Sequence, residues 1–120
     1  MPDGTYEKGL SGEETAIIYL QNRGMVLLAR RYRSSFGEID AILRDGDTLV
    51  FVEVKARNTR SEGAGLLSVG LRKRAKIIQT ALQYIAENES DMPMRFDVVE
   101  LTRDGVQHVR DAFQGNEFRR

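Results

Sequence analysis

The fold is decided by one stretch of the sequence, GEIDAILRDGDTLVFVEVKAR, which occupies residues 37–57 of the 120-residue chain. Its Asp45-Gly46 pair is typical of a tight hairpin turn, and the residues around that pair predict strands over 38–44 and 49–57. Residues 25–33 read as a further strand, so the sequence predicts a three-stranded antiparallel meander.

Two segments with helical periodicity lie on either side of this meander. Ser11-Gly12-Glu13-Glu14 matches a capping box, and Gly24 is a typical helix stop, so the first helix is predicted over about 12–23. Apolar residues spaced by three and four positions from Leu67 to Ile85 predict a second, longer helix.

Two more strands follow the second helix, over residues 95–101 and 106–109, around an Asp104-Gly105 turn. The predicted order is therefore αβββαββ, which is an α/β fold class. The length is typical of one domain, so residues 1–120 are expected to form a single domain whose compact unit spans about 9–113.

The composition excludes several kinds of site. The chain has no cysteine, which excludes disulfides, thiol catalysis and Cys-ligated metal sites, and its single histidine makes an imidazole-rich metal site implausible. Any metal must therefore be held by oxygen. His108 itself is better explained as a surface or edge-strand residue than as a general base.

The sequence also lacks the signs of export or membrane insertion. No apolar run approaches the roughly 18 residues that a membrane span needs. The first residues, Met1-Pro2-Asp3-Gly4, do not resemble a signal segment. A cytoplasmic protein with no membrane partner is expected.

Charge is balanced over the whole chain but segregated along it. Residues 21–35 carry four arginines and no acid, and residues 54–83 carry seven basic residues against one acid. Residues 36–53 and 84–118 are acidic. Either a basic surface flanks an acidic pocket, as a nucleic-acid enzyme would require, or this is ordinary surface charge.

Strand periodicity places Glu53 and Lys55 on the same face as the apolar residues Leu49 and Phe51. A carboxylate in such an apolar strand needs a cation, a proton or contact with water, because an unpaired buried charge costs several kcal/mol. The short hairpin turn pairs this strand with the preceding one, so Asp40 and Glu53 can meet across the two strands.

Two carboxylates beside a lysine form an oxygen site suited to Mg²⁺ or Mn²⁺, and phosphodiester hydrolysis uses such a site. From the spacings alone, a salt bridge between Glu53 and Lys55 explains the pattern equally well. Glu13 lies three and four residues before apolar Ala16 and Ile17, so its carboxylate is predicted to face inward.

At Gly37-Glu38-Ile39-Asp40 and at VFVEVKAR, residues 50–57, the sequence resembles the YraN family of the PD-(D/E)XK nuclease superfamily. Further matching positions cover nearly the whole chain: Gly12-Glu13 with Ala16, Lys73, residues 95–99 and residues 111–113. The resemblance implies a restriction-endonuclease-like core, similar to archaeal Holliday-junction resolvases, with a central mixed five-stranded sheet flanked by helices.

The same resemblance implies roles for individual residues. Asp40 and Glu53 would be metal ligands together with the backbone carbonyl of Val54, and the metal would be Mg²⁺ or Mn²⁺. Lys55 would be the catalytic lysine and Glu13 an outer acidic residue of the site. A homodimer is expected only by analogy with resolvases that cut two strands.

Basic side chains are candidates for holding a nucleic-acid backbone. They are Arg31 and Arg33 on the first strand, Arg57 at the end of the hairpin, and Arg72, Lys73 and Lys76 on the second helix. The strand arginines would equally protect an exposed sheet edge, with Arg31 and Arg33 on one face. The helical set alone is also typical of a solvated helix face, and Lys73 gains its weight from the family resemblance.

Taken together, the sequence predicts a metal-dependent endonuclease that hydrolyses phosphodiester bonds in nucleic acid. DNA is the favoured polymer, and branched or damaged DNA is a further expectation. The alternative is a non-catalytic module that binds nucleic acid or protein, in which Glu53 and Lys55 form a salt bridge that stabilises the sheet.

Overall fold

The computed structural model describes residues 11–56 and 70–114. Its elements, in chain order, are α1 (Gly12–Gln21), β1 (Val26–Arg33), β2 (Glu38–Asp45), β3 (Thr48–Ala56), α2 (Leu71–Glu87), β4 (Met94–Thr102) and β5 (Gly105–Phe113). The predicted order and the α/β class are confirmed. The strand end expected at Arg57 and the helix start expected near Leu67 lie outside the described residues.

The capping box predicted for α1 is formed. The Glu14 N–H donates to Ser11 Oγ at 3.0 Å, and the Ser11 N–H donates to Glu14 Oε1 at 2.8 Å. The helix ends at Gln21, two residues earlier than predicted, and Gly24 adopts a φ of +97° in the turn that follows. A left-handed residue there lets the chain reverse into β1, which is why glycine suits the position.

The five strands form one sheet in the order β1-β2-β3-β4-β5. Every neighbouring pair is antiparallel except β3 and β4, which run parallel with Phe51 opposite Phe96 and Glu53 opposite Val98. Parallel neighbours need a crossover connection, and the segment containing α2 provides it. The mixed five-stranded sheet is thus confirmed, and the crossover brings α2 back across the sheet.

Alternate residues of β3 supply two separate cores. Leu49 and Phe51 pack with Ile77, Ile78 and other residues of the α2 side. The intervening residues of the strand pack with the buried face of α1, formed by Ala16, Ile17 and Leu20. The predicted alternation is therefore present, and it places Glu53 on the face that α2 covers.

Three aromatic rings fix the α2-side core. Phe51 stacks on Phe96 with ring centroids 5.6 Å apart, and Phe96 stacks on Phe113 at 5.0 Å. These rings tie the central strands β3 and β4 to the edge strand β5, and such pairs add to the apolar area that they bury.

No helix within residues 11–56 and 70–114 has the length and apolar character that crossing a membrane requires.

The capping box gives a direct test of how α1 is stabilised. We expect Ser11→Ala to lower the free energy of unfolding by about 1 kcal/mol, because the Glu14 N–H loses its acceptor. For a domain of this size the melting temperature should fall by about 3–6 °C. The matched control is Ser35→Ala, at an exposed serine between β1 and β2. Equal melting of the Ser11 variant and wild type would contradict the role of the cap.

Candidate active site

A cavity of about 560 Å³ opens between the start of β2, the second half of β3 and the first turns of α2. Its acidic side chains come from the sheet and its basic side chains from α2. The lining residues are Gly37, Glu38, Asp40, Glu53, Gly70, Arg72, Lys73, Lys76 and Ile77. The fold therefore brings part of the acidic block at 36–53 against part of the basic block at 54–83.

Asp40 reaches this cavity from the point where β2 leaves its partner strand. The paired residues of β2 and β3 run from Asp45 opposite Thr48 to Ala41 opposite Val52, so Asp40 lies just beyond the ladder. Its Oδ2 accepts a 2.7 Å hydrogen bond from the Val54 N–H. That bond satisfies one carboxylate oxygen and fixes the side chain beside β3.

Glu53 is held by two ammonium groups. Its side chain is only 7% exposed, and its Oε2 lies 2.6 Å from Lys73 Nζ and 3.4 Å from Lys55 Nζ. A carboxylate this deeply buried would be costly without such partners. Lys55 comes from the same strand, as its spacing predicts, whereas Lys73 is brought in by α2.

The carboxylates of Asp40 and Glu53 repel each other when both are charged. Burial raises the pKa of Asp40 to about 6, and repulsion from Glu53 adds to that effect, against the Val54 N–H and the Lys73 ammonium, which lower it. Glu13 also raises the pKa of Asp40 by its charge, which places Glu13 in the electrostatic surroundings of the site. The raised pKa agrees with the expectation that neighbouring carboxylates repel.

The two lysines are driven in opposite directions. Burial lowers the pKa of Lys55, and the nearby Lys73 ammonium lowers it further, although Glu53 opposes the change. Burial also works against charge on Lys73, but its hydrogen bonds with Glu53 and Lys55 raise the pKa of Lys73 overall. Burial therefore acts against the charge on both lysines, and the Glu53 carboxylate favours the charge on both.

Glu13 faces inward as predicted, with its side chain 16% exposed. Its Oε1 accepts hydrogen bonds from Arg30 Nη2 at 3.1 Å and from Arg31 Nε at 2.9 Å. Neighbouring strand residues normally point to opposite faces, but Arg31 has a φ of +50°, which breaks the alternation. Arg30 and Arg31 are neighbours in β1, yet both contact the same carboxylate.

Several basic residues predicted to contact nucleic acid line the cavity or pair with an acidic residue. Arg33 donates to Glu38 Oε2 at 2.9 Å and keeps 78% of its side chain exposed. Arg72 and Lys76 line the cavity. Arg57 lies outside the described residues. These residues stay predicted phosphate contacts.

The donor set suits a hard divalent ion. Within residues 11–56 and 70–114, no three His, Cys, Asp or Glu side chains cluster as a metal site. An ion here would have Asp40 and Glu53 as its two carboxylate ligands and complete its shell with backbone and water oxygens, as Mg²⁺ commonly does. The Val54 N–H contacts Asp40, so the carbonyl of the same residue lies close to the two carboxylates. Its role as a metal ligand stays a prediction.

The sequence did not reveal a buried network at the opposite end of β2. His108 is on the edge strand β5, as expected, but its side chain is 6% exposed, so the surface alternative is wrong. Its Nε2 lies 2.7 Å from Asp97 Oδ2, and Asp97 also accepts from Arg95, which reaches Asp45. Burial alone would raise the pKa of Asp97, but these hydrogen bonds lower it below the ordinary value. An inward-pointing acid flanked by apolar Phe96 and Val98 was the available signal.

The raised pKa of Asp40 predicts how stability depends on pH without metal. Because the folded-state value of about 6 exceeds the ordinary 3.8, ionisation of Asp40 destabilises the fold as pH rises through that interval. At pH 8 the free energy of unfolding of Asp40→Asn should therefore exceed that of wild type by about 1–2 kcal/mol, allowing for partial solvent screening. At pH 3.5 the two proteins should have the same free energy of unfolding. Urea unfolding in EDTA measures this.

The control for that prediction is Glu38→Gln, because Glu38 lines the same cavity but is more exposed and pairs with Arg33. It should show no comparable gain at high pH. A pH-independent effect of Asp40→Asn would mean that repulsion and burial do not act on this carboxylate as described.

Comparison with known proteins places the chain in a family. A family model described as "Uncharacterised protein family UPF0102" matches residues 12–101, which include both carboxylates and both lysines of the site. A UPF0102 protein of Nitrosomonas europaea is 39% identical over 109 residues, covering 88% of this chain and 92% of the relative. One of Clostridioides difficile is 42% identical over 110 residues, covering 89% and 96%. The chain therefore belongs to the UPF0102 family, which is the YraN family that its sequence resembles.

Proposed function

We propose that this protein is a metal-dependent endonuclease that hydrolyses phosphodiester bonds in nucleic acid, with DNA as the favoured polymer. The observation that carries the proposal is the convergence of Asp40 and Glu53, from neighbouring strands, in one open cavity beside two lysines. A hydrolytic site needs this combination of oxygen ligands, cations and access for a polymer.

Mg²⁺ or Mn²⁺ would be held by Asp40 and Glu53, with the Val54 carbonyl as the proposed backbone ligand. Such an ion, when bound, supplies positive charge that polarises a phosphoryl oxygen and activates water. The Val54 N–H orients Asp40, so that the carboxylate is already positioned for this task. Positioning before the reaction reduces the reorganisation needed in the transition state.

Lys55 is the residue proposed to act on the attacking water. Its Nζ lies 3.4 Å from Glu53 Oε2, and burial lowers its pKa, so it gives up a proton more readily than an ordinary lysine. Lys73 keeps its charge and would stabilise negative charge that develops on the phosphate. Arg72 and Lys76, which line the same cavity, would hold neighbouring backbone phosphates.

Metal titration tests the proposal most simply. Calorimetry should show Mn²⁺ binding to the wild-type protein and a loss of at least about tenfold in affinity for Asp40→Asn and for Glu53→Gln, because each change removes a charged ligand. Cleavage of a plasmid should require the metal and fall by about 100-fold in Lys55→Met. Equal Mn²⁺ binding by wild type and both carboxylate variants would defeat the proposed site.

The matched control for these variants is Glu38→Gln. Glu38 lines the cavity but pairs with Arg33, so this change should leave the Mn²⁺ affinity within about twofold of wild type.

The ion pair between Lys73 and Glu53 predicts a competition between lysine and metal. Lys73 Nζ occupies one side of the Glu53 carboxylate at 2.6 Å, so a divalent ion must share Glu53 with it or displace it. Lys73→Gln should therefore bind Mn²⁺ about five- to tenfold more tightly and unfold more easily without metal. Calorimetry and thermal melts measure the two effects.

Lys76→Gln removes another cavity lysine of α2 and serves as the control. A tightening of equal size in both lysine variants would indicate general electrostatic repulsion of the metal, and unchanged affinity in Lys73→Gln would contradict the competition.

A second candidate function is a non-catalytic binding module on the same fold. It is favoured by one observation, namely that Lys55 and Lys73 already compensate Glu53 without any metal. In that case Mn²⁺ would not raise the melting temperature, and Glu53→Gln with Lys55→Met would lower it. Assembly into a homodimer stays a prediction by analogy for either function.

A further inference from the structure

Two exposed apolar residues are chain neighbours of residues that line the candidate site. Phe36 is 46% exposed and directly precedes Gly37, and Leu71 is 66% exposed and lies between Gly70 and Arg72. Gly37, Gly70 and Arg72 all line the cavity. Within residues 11–56 and 70–114, these are the two most exposed large hydrophobic residues, and they come from different elements on the cavity's border.

The segment that carries Phe36 is fastened to α2. The Phe36 N–H donates to Ser34 Oγ at 2.9 Å, and that hydroxyl lies 2.8 Å from Thr80 Oγ1 of α2. The Ser34 N–H also donates to the Gly37 carbonyl at 2.8 Å. A Cβ at Gly37 would lie 3.8 Å from Lys76 Cβ, so the loop passes close to the helix. The backbone of Phe36 is therefore held next to cavity-lining Gly37, and its side chain is 46% exposed.

The charges nearby favour a polyanion as the partner of this apolar pair. Arg72, Lys73 and Lys76 line the cavity that Phe36 and Leu71 border. A nucleic acid offers phosphates for such cations and flat apolar bases for an exposed ring. In a regular duplex the bases are stacked on one another, so only an unpaired base presents a free face to an aromatic side chain.

We propose that Phe36 and Leu71 form an apolar rim that receives an unpaired base next to the phosphate held in the cavity. The proposal rests on the proposed function, because it names the class of nucleic acid that the same site takes: strands with single-stranded bases at the point of contact. Phe36 provides the stacking surface, and Leu71 separates the received base from its neighbour, as apolar wedge residues do in other nucleic-acid complexes.

The lack of tryptophan in the chain makes a direct test available. In Phe36→Trp the new indole is the only one, so its emission reports on stacking. Titration in EDTA, which prevents metal-dependent cleavage, would compare a thymidine oligonucleotide with a blunt duplex at equal phosphate concentration. Quenching by the oligonucleotide and little change with the duplex is the expected result. Equal quenching by both, or quenching by neither, would overturn the rim.

Affinity measurements by fluorescence anisotropy complete the test. Phe36→Ala should bind the labelled oligonucleotide about tenfold more weakly, while Phe36→Tyr should keep most of the affinity because it keeps a ring. Leu82→Ala is the control, since Leu82 is 45% exposed on α2 and neither it nor its chain neighbours line the cavity. Loss of affinity in the control equal to that in Phe36→Ala would contradict a specific role for Phe36.

These experiments distinguish a failure of the rim proposal from a failure of the metal-site proposal. If Mn²⁺ binds through Asp40 and Glu53 but Phe36→Ala leaves the oligonucleotide affinity unchanged, the hydrolytic site is supported and the rim is overturned. If the affinity for single strands depends on Phe36 but the carboxylates bind no Mn²⁺, the rim belongs to a non-catalytic binding module and the hydrolase proposal is overturned. Wild-type protein that binds neither nucleic acid overturns the rim, whatever its metal affinity.

Discussion

The charge on Glu53 is the constraint on which the rest of the site depends. β3 is apolar on both faces up to this residue, and the Glu53 side chain is 7% exposed, so water alone cannot compensate its charge. Lys73 and Lys55 do so from two elements. Asp40 then adds a second carboxylate at the same place, and burial, together with repulsion from Glu53, raises its pKa to about 6. A site that holds like charges together at this cost is typical of positions kept for function rather than for stability.

The parallel pairing of β3 with β4 explains how this constraint is met. A parallel pair requires the chain to cross the sheet between its two strands, and α2 lies in that crossover. The first turns of the helix therefore lie over Glu53. They bring Lys73, which is twenty positions after Glu53 in the sequence, next to its carboxylate. The β1–β2 loop packs against the same helix through Ser34 and Thr80, and Gly37 of this loop lines the cavity. The crossover thus positions Lys73 against Glu53, whereas the β2–β3 hairpin positions Asp40.

Much of this arrangement follows from local sequence patterns. Alternation along β3 placed Glu53 and Lys55 together on the correct face, and the Asp45-Gly46 hairpin placed Asp40 beside them, because both are consequences of strand geometry. The ion pair from Lys73 could not be obtained in this way, since its position depends on where the crossover helix docks. The left-handed φ of Arg31 and the buried contact of His108 with Asp97 were missed for a related reason. The backbone conformation of a single strand residue and the burial of an edge strand are set by tertiary packing, which periodicity does not encode.

The central claim is that Asp40 and Glu53 share one divalent ion and that Lys73 substitutes for its charge when the ion is absent. Anomalous diffraction from crystals grown with Mn²⁺ measures this directly. We expect a single manganese peak about 2.0–2.3 Å from one oxygen of each carboxylate, with Lys73 Nζ withdrawn from its 2.6 Å contact with Glu53. Crystals that contain Mn²⁺ but show no peak there, with the Lys73 ion pair unchanged, would contradict it.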